Sequence, residues 1–312
     1  MKVLILLLII GVGYFARKYD ILSKDSVGCI SKFVLYVALP ALILVSSTCR
    51  SFNSDSMGIV LLLLIASGLY YVISTIVALV VPRLICSKSN EIGVYRFILV
   101  FPSAVFFAFP IIKMIFGMDG ILYAAIFNLP YFLLTFSLGI WLMTSSLERN
   151  ANSFKFDPKI LLNFAFIATL IGLFLYFASI PIPQPFNDTL GLLGDLATPL
   201  ALIATGGFLF EVDFSALFRN YRHYLIAAVR LFVLPLLVFT VLKFVLPSDI
   251  PDMNMIFAIP VIIAGMPAAV QTVIIADKYN AHPEIAAEII LVTTLLATIT
   301  VPLLFIAGFI PR

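Results

Sequence analysis

Charged side chains are scarce in this 312-residue chain, and their scarcity excludes the usual soluble classes of protein. Asp, Glu, Lys and Arg together make up 11% of the residues, whereas hydrophobic residues make up 62% and the mean hydropathy is +1.16. A soluble globular domain is about 25% charged and about 45–50% apolar. The composition therefore indicates a protein whose helices lie in a membrane.

The residues and motifs that enzymes use are also sparse. The two histidines, His223 and His282, have no metal-ligand or catalytic neighbours at useful spacing. The three cysteines, Cys29, Cys49 and Cys86, form no CxxC pair. The sequence contains no Walker A motif, glycine-rich dinucleotide loop or GxSxG motif. We therefore expect no enzyme activity, metal site or cofactor, and we attribute the net charge of +3 to loops rather than to nucleic-acid binding.

Ten apolar segments follow one another along the chain. A run of about 18 or more apolar residues with few charges is typical of a transmembrane helix. The short first segment is followed by Arg17 and Lys18 rather than by a cleavage site, so we interpret it as a retained helix. The segments are 3–16, 27–48, 57–82, 95–117, 120–147, 159–180, 188–210, 222–246, 253–276 and 283–309. They predict an all-α integral membrane protein with ten transmembrane helices.

Basic residues are concentrated in alternate loops. Twelve lie after segments 1, 3, 5, 7 and 9, and three lie on the opposite side. Basic loops usually face the cytoplasm, so both termini are predicted to lie on the external side. The twelve are Arg17, Lys18, Lys24, Arg83, Lys88, Arg96, Arg149, Lys155, Lys159, Arg219, Arg222 and Lys278, and the three are Lys2, Arg50 and Arg312.

The two halves of the chain share a sequence pattern. The stretch "ALPALILVS" around Pro40 is similar to "ATPLALIAT" around Pro199, 159 residues later, and Gly13 and Gly172 keep the same offset. Recurrence at a fixed spacing indicates an internal repeat. We interpret Pro40 and Pro199 as a matching pair of helix breaks.

Two further prolines recur within apolar segments. Pro102 and Pro110 in segment 4 match Pro260 and Pro267 in segment 9, at offsets of 158 and 157. Proline in a helix interior costs about 3 kcal/mol, and hydrocarbon has no water to satisfy the backbone groups that it frees. We therefore predict that segments 4 and 9, with Gly265, are broken helices that cross near the bilayer midplane. The alternative is a pair of kinks that only shape packing.

Each half of the chain contains five predicted helices. The first repeat comprises residues 1–150 and the second comprises residues 151–312. Because five is odd, the second repeat enters the membrane in the opposite sense. Inverted repeats with broken helices are typical of secondary transporters, so the pattern favours that function.

Three stretches of sequence resemble a known family, the auxin efflux carriers and their malonate-carrier-like bacterial members. They are "LPALILVSS", "LGDLATPLALIATGGFL" and "MPAAVQTVIIADKYNAHPEIA". The resemblance spans nearly the whole chain and implies an elevator-type transporter of the bile-acid/sodium symporter kind. It implies a scaffold of helices 1, 2, 6 and 7 and a transport domain of helices 3–5 and 8–10. It also implies a small organic anion as substrate and a homodimer formed through the scaffold.

The chain departs from the family pattern at both predicted crossover helices. In segment 4 the family typically has Asn where this chain has Ser103, and Gly-x-Pro where this chain has Ala108-Phe109-Pro110. In segment 9 it often has Asn where this chain has Gln271. One crossover amide is thus shortened to a hydroxyl and the other is lengthened. This change raises an alternative function, a ligand-binding or sensing protein that does not transport.

The predicted substrate contacts lie on and around the crossover helices. We expect Ser103, Gln271 and Thr272 to supply polar contacts and Phe109 to line the same site. Asn128 has two equal interpretations: it lines the site, or it forms a hydrogen bond between helices.

Three charged residues within apolar segments are candidates for coupling or charge compensation. Glu288 is predicted to bind a proton or cation, or else to lie near the wet interface. Asp195 is predicted to take up a proton or to accept hydrogen bonds at a helix break. Arg230 is predicted to attract the anion, to neutralise a carboxylate, or to extend to the interface. We expect Lys113 and Lys243 to extend to the external interface.

These features together predict a secondary-active carrier of a small organic anion. We expect it to work by alternating access, driven by protons or voltage, with sodium less favoured because no cluster of oxygen ligands is evident. The expected location is a bacterial inner membrane, and the expected partners are the anion, the lipid bilayer and a second copy of the chain. A passive channel and a membrane-embedded enzyme are the weaker alternatives.

Overall fold

The computed structural model describes residues 2–49, 56–85, 91–147, 163–210, 220–246 and 252–306. These residues form helices and contain no strand, apart from one isolated bridge. The helices are α1 (Lys2–Lys18), α2 (Lys24–Phe33), α3 (Leu39–Thr48), α4 (Ser56–Ile85), α5 (Ile92–Val100), α6 (Phe109–Phe127), α7 (Leu129–Leu134), α8 (Ile140–Thr144), α9 (Phe164–Ala178), α10 (Gln184–Asp195), α11 (Ala197–Phe210), α12 (Tyr221–Ala228), α13 (Leu234–Val245), α14 (Met253–Ala264), α15 (Gln271–Lys278) and α16 (Pro283–Ile306).

Six helical runs in these ranges are long and apolar enough to cross a membrane. They are Lys24–Thr48, Ser56–Ile85, Ala104–Thr144, Gln184–Phe210, Tyr221–Val245 and Pro283–Leu303. Phe164–Ala178 and Met253–Ala264 are shorter apolar helices. The runs agree with the predicted all-helical membrane protein. The count of ten helices, the inverted repeat and the external termini stay predictions.

The 41-residue run Ala104–Thr144 holds most of predicted segment 4 and all but the last three residues of segment 5. Its backbone turns at Gly117, where φ is +68° and ψ is −148°. Residues with a Cβ rarely adopt a positive φ, whereas glycine does so at little cost. Gly117 therefore provides the turn between the two predicted segments.

Widened π-helical turns accommodate three prolines. A proline cannot donate to the carbonyl one turn earlier, and its ring clashes with that carbonyl. A π-helical turn adds a residue to the preceding turn and so moves the carbonyl away. The three turns each end two residues before a proline: Val34–Ala38 before Pro40, Ala104–Ala108 before Pro110 and Val229–Val233 before Pro235.

The predicted pair of helix breaks at Pro40 and Pro199 takes a different form in the structure. The run Lys24–Thr48 stays helical through Pro40 because the widened turn before it absorbs the missing hydrogen bond. Near Pro199 the chain leaves the helix for one residue, Leu196, between α10 and α11. Only the second of the two prolines therefore follows an interruption.

Contacts within the chain group it into two compact units. The first unit comprises 1–64, 105–129 and 161–211, and the second comprises 65–104, 130–160 and 212–312. In the first unit α1 packs along α11, and α3 packs along α9 and α10. In the second unit α5 packs against α8, α15 and α16, and α13 packs against α14.

The glycines that mark the predicted repeat lie where helices of the first unit approach closely. A Cβ added to Gly13 would clash with the backbone of Ile203, and one added to Gly172 would clash with the side chain of Ser47. Small residues allow helix backbones to approach one another in membranes. The two glycines therefore have the same packing role, one on α1 and the other on α9.

Candidate functional site

Two helices of the second unit lead into breaks. Helix α5 ends at Val100, and helical structure resumes only at Ala104. Helix α14 ends at Ala264, and α15 begins at Gln271. The part of each helix next to its break is enclosed, with residues 94–100 and 258–264 buried throughout. The non-helical backbone is thus protected from lipid, as it must be at membrane depth.

The two breaks pair with each other through their backbones. The N–H of Ser103 donates to the carbonyl oxygen of Pro267 at 2.9 Å, and Pro102 and Ala268 form an antiparallel bridge. The N–H of Ala268 donates to Oγ1 of Thr293 at 3.2 Å. Buried backbone groups must find such partners because water is absent. The pairing therefore replaces helical hydrogen bonds that the breaks remove.

The four predicted crossover prolines divide into two kinds. Pro102 and Pro267 lie in the breaks themselves. Pro110 lies in the first turn of α6 after a widened turn, and Pro260 lies inside α14. The widened turn before Pro110 moves away the carbonyl with which the proline ring would otherwise clash. Gly265 caps the end of α14 and is buried.

Arg230 connects the two broken helices. Its side chain is fully buried, and its Nη1 donates to the carbonyl oxygen of Leu99 at 2.6 Å and to the hydroxyl of Tyr70 at 3.2 Å. Its Nε donates to the carbonyl oxygen of Met266 at 3.2 Å. Leu99 lies in the last turn of α5, and Met266 lies two residues beyond α14. One guanidinium group therefore binds the C-terminal ends of both helices.

The sequence did not predict these carbonyl partners of Arg230. We expected a carboxylate, a substrate anion or the interface as its partner, and the structure gives it backbone carbonyls. The last carbonyls of a helix lack intrahelical donors and carry about half a negative charge in total. The guanidinium group of Arg230 supplies both the hydrogen-bond donors that these carbonyls lack and a positive charge that compensates theirs. Its Nη2 has no hydrogen-bond partner among the described residues.

The polar side chains that follow the break between α14 and α15 form hydrogen bonds with other groups of the protein. Nε2 of Gln271 donates to the hydroxyl of Tyr131. The hydroxyl of Thr272, which is fully buried, donates to the carbonyl oxygen of Ala269 at 2.6 Å. Ser103 is 4% exposed. Thr272 thus stabilises the start of α15, while Gln271 remains partly exposed.

Asn128 and Phe109, the other predicted substrate contacts, belong to the first unit. Phe109 is buried in the first turn of α6. Asn128 ends that helix, and its Nδ2 donates to the carbonyl oxygen of Ala124 at 2.8 Å. Its Oδ1 is buried without a partner among the described residues. The bond of Nδ2 lies within one helix, and both predicted roles of Asn128 stay predictions.

The two predicted carboxylates have basic partners. Asp195 is largely exposed, and its Oδ1 accepts from Nζ of Lys113 at 2.8 Å. Glu288 is partly buried, and its Oε2 lies 3.4 Å from Nδ1 of His223. His223 belongs to α12, and its ring is buried. The described residues contain no group of three potential metal ligands among His, Cys, Asp and Glu.

Three hydroxyl groups of the site were not predicted. The hydroxyl of Tyr70 donates to the carbonyl oxygen of Val100 at 2.8 Å, and that of Tyr131 accepts from Nε2 of Gln271. The hydroxyl of Thr293 accepts from the N–H of Ala268, between α14 and α15. A polar group inside an apolar segment is the signal that identifies such residues, and "SGLYYVIST" contains it.

Comparison with known proteins agrees with this architecture. The sequence matches a family model described as membrane transport protein over residues 1–305. An uncharacterized transporter of Methanothermobacter thermautotrophicus is 25% identical over 311 residues, which cover 96% of this chain and 95% of the relative. An uncharacterized transporter of Methanocaldococcus jannaschii is 22% identical over 307 residues, 96% of each chain. The chain is therefore an integral membrane protein that belongs to the membrane transport protein family, the auxin efflux carrier family whose motifs it resembles.

Proposed function

We propose that the protein is a secondary-active transporter of a small organic anion that works by alternating access around the two broken helices. We further propose that protons or the membrane voltage drive it and that sodium does not. The observation that carries the proposal is the contact of Arg230 with the carbonyl ends of both helices. The family membership supports transport, and the electrostatics of the breaks support an anion.

Arg230 supplies the positive charge that the C-terminal helix ends require. Each end carries about −0.5 charge, so the ends of α5 and α14 together carry about one negative charge. In broken-helix transporters such ends coordinate a sodium ion or proton. Here the guanidinium of Arg230 has the compensating charge and binds a carbonyl at each end. A bound sodium ion is therefore unnecessary.

The opposite ends of the breaks favour an anion. The helical runs that begin at Ala104 and at Gln271 each present about +0.5 charge at their N-terminus. Neither has an acidic residue in its first turn. Half-helix N-termini bind anionic groups of substrates in many transporters. With the C-terminal ends compensated by Arg230, this partial positive charge is available to a carboxylate.

We also propose an elevator mechanism in a homodimer. The proposed scaffold consists of predicted helices 1, 2, 6 and 7. In the structure these correspond to α1–α3 and α9–α11, which all belong to the first compact unit. Helices α12–α16 and both breaks belong to the second unit, whereas α6, which spans parts of predicted helices 4 and 5, belongs to the first. The separation of both breaks from the scaffold helices supports a mobile domain that carries them. The same proposal places the protein in a bacterial inner membrane with external termini.

A ligand-binding or sensing protein without transport is the second candidate. It is favoured by the internal bonds of Gln271 and Thr272, which engage polar groups that a substrate would otherwise use. In that case the protein would bind an anion but would not move it.

Uptake into proteoliposomes distinguishes these candidates. Labelled dicarboxylates, short monocarboxylates and indole acetate are tested in sodium-free buffer with an imposed pH or voltage gradient. We expect saturable uptake of at least one anion that follows one of the two gradients. Binding of an anion with no flux under either gradient would instead establish the second candidate.

A further inference from the structure

A cavity of about 300 Å³ lies in the second unit, at the end of α4 and the start of α5. It is separate from the paired breaks. The C-terminal end of α8 and the residues that follow it close the remaining side. Its main lining residues are Leu79, Arg83, Arg96, Trp141, Ser145 and Ser146.

Two arginines line the cavity, and none of its lining residues in the described part of the chain is acidic. Arg96 is 6% exposed, and its Nη1 donates to Oγ of Ser145 at 2.8 Å. The Nε of Arg96 is buried without a partner among the described residues. Arg83 is exposed in the last turn of α4. A buried charge is costly unless a counter-charge compensates it, so the cavity is complementary to an anion.

Serine hydroxyls add donors beside the arginines. Oγ of Ser146 accepts from the N–H of Gly93 at 3.0 Å, which leaves its own hydrogen free to donate to a ligand. Guanidinium groups bind phosphate oxygens through paired, charge-assisted hydrogen bonds. Two guanidinium groups and a hydroxyl together suit a phosphate group.

An apolar track leads along α4 to the cavity. Ile76, Val80 and Leu84 follow one another at helical spacing and are 58%, 51% and 80% exposed. Trp141, at the rim, is 46% exposed. Tryptophan is enriched where membranes meet water. An acyl chain can lie along this track while its headgroup occupies the cavity.

We propose that this cavity binds the phosphate of an anionic phospholipid, with Arg83, Arg96 and Ser146 as its contacts. Basic pockets between transmembrane helices bind such headgroups. A free phosphate ion offers the same phosphate chemistry, but it would not use the apolar track. The inference does not depend on which substrate the protein transports.

Native mass spectrometry of the full-length protein in detergent tests this inference. The probes are phosphatidylglycerol, zwitterionic phosphatidylcholine and inorganic phosphate. We expect phosphatidylglycerol to bind in preference to phosphatidylcholine. The affinity for phosphatidylglycerol should fall about fivefold in Arg83→Gln, as for the loss of one basic residue near an anionic lipid. It should fall about tenfold or more in Arg96→Gln, because a hydrogen bond to a buried charge is stronger.

Lys278→Gln is the matched control, because it removes one exposed positive charge of the same unit outside the cavity. It should leave the affinity unchanged. Arg83 makes no hydrogen bond to the described residues, so Arg83→Gln should fold even if Arg96→Gln does not. Displacement of phosphatidylglycerol by millimolar phosphate would overturn the lipid as the occupant in favour of the free ion. Equal affinity of wild type and Arg83→Gln for phosphatidylglycerol would overturn the inference.

Discussion

Gln271 shows how a single side chain links the break to its surroundings. It is the first residue of α15, and its amide donates to the hydroxyl of Tyr131. The tyrosine is buried, whereas the glutamine is partly exposed. The hydroxyl therefore holds the amide in one orientation, and the remaining polar atom of Gln271 can face a substrate.

Removal of this hydroxyl should weaken anion recognition. In Tyr131→Phe the KM for the transported anion should rise by up to about tenfold, as expected for the loss of one hydrogen bond, with little change in folding. Uptake kinetics in proteoliposomes measure this. Tyr36→Phe, which alters an exposed tyrosine of the first unit, is the control. An unchanged KM in Tyr131→Phe would show that the orientation of Gln271 does not contribute to substrate binding.

The ion pair between Asp195 and Lys113 should matter little to transport. Asp195 is 68% exposed, and an exposed ion pair contributes at most about 1 kcal/mol to stability. We therefore expect Asp195→Asn to lower the melting temperature only slightly and to leave pH-gradient-driven uptake intact. Loss of the response to the pH gradient in this variant would restore Asp195 as a proton carrier.

At the scale of elements, the breaks depend on the prolines that lie within them. Pro102 and Pro267 occupy the non-helical backbone, whereas Pro110 follows a widened turn in a continuous helix. Alanine at both break positions would permit helical hydrogen bonding and compete with the pairing of Ser103 and Pro267. We expect Pro102→Ala/Pro267→Ala to lose at least tenfold in uptake while it remains folded.

Pro110→Ala is the matched control for this double substitution. It should retain most of its uptake, because the helix around Pro110 is already continuous. Circular dichroism checks that both proteins are folded. If the double variant transports normally and Pro110→Ala does not, the breaks have been assigned to the wrong prolines.

The sequence predicts the broken helices better than it predicts the side chains that hold them. Two of the paired prolines in apolar segments, Pro102 and Pro267, lie in the non-helical backbone of the breaks. The pattern does not show that Pro260 lies inside α14 rather than in a break, because the effect of a proline depends on the turn before it. The partners of Arg230 lie 131 and 36 residues away in sequence, so only the tertiary fold brings them together.

At the scale of the whole molecule, the proposed coupling of transport depends on charge compensation inside the second unit. Arg230 provides a permanent cation at the two carbonyl ends, and the helical starts beyond the breaks lack first-turn acids. A carrier built in this way has no need of sodium and should favour anions. Arg230 is therefore the residue on which the account depends most.

The most direct test compares anion uptake by wild type and Arg230→Gln in sodium and in choline buffers. Lys243→Gln, an exposed cation of the same helical run, is the control. We predict equal wild-type uptake in both buffers, at least a tenfold loss in folded Arg230→Gln, and normal uptake in Lys243→Gln. Wild-type uptake that requires sodium, or full uptake by Arg230→Gln, would contradict the account.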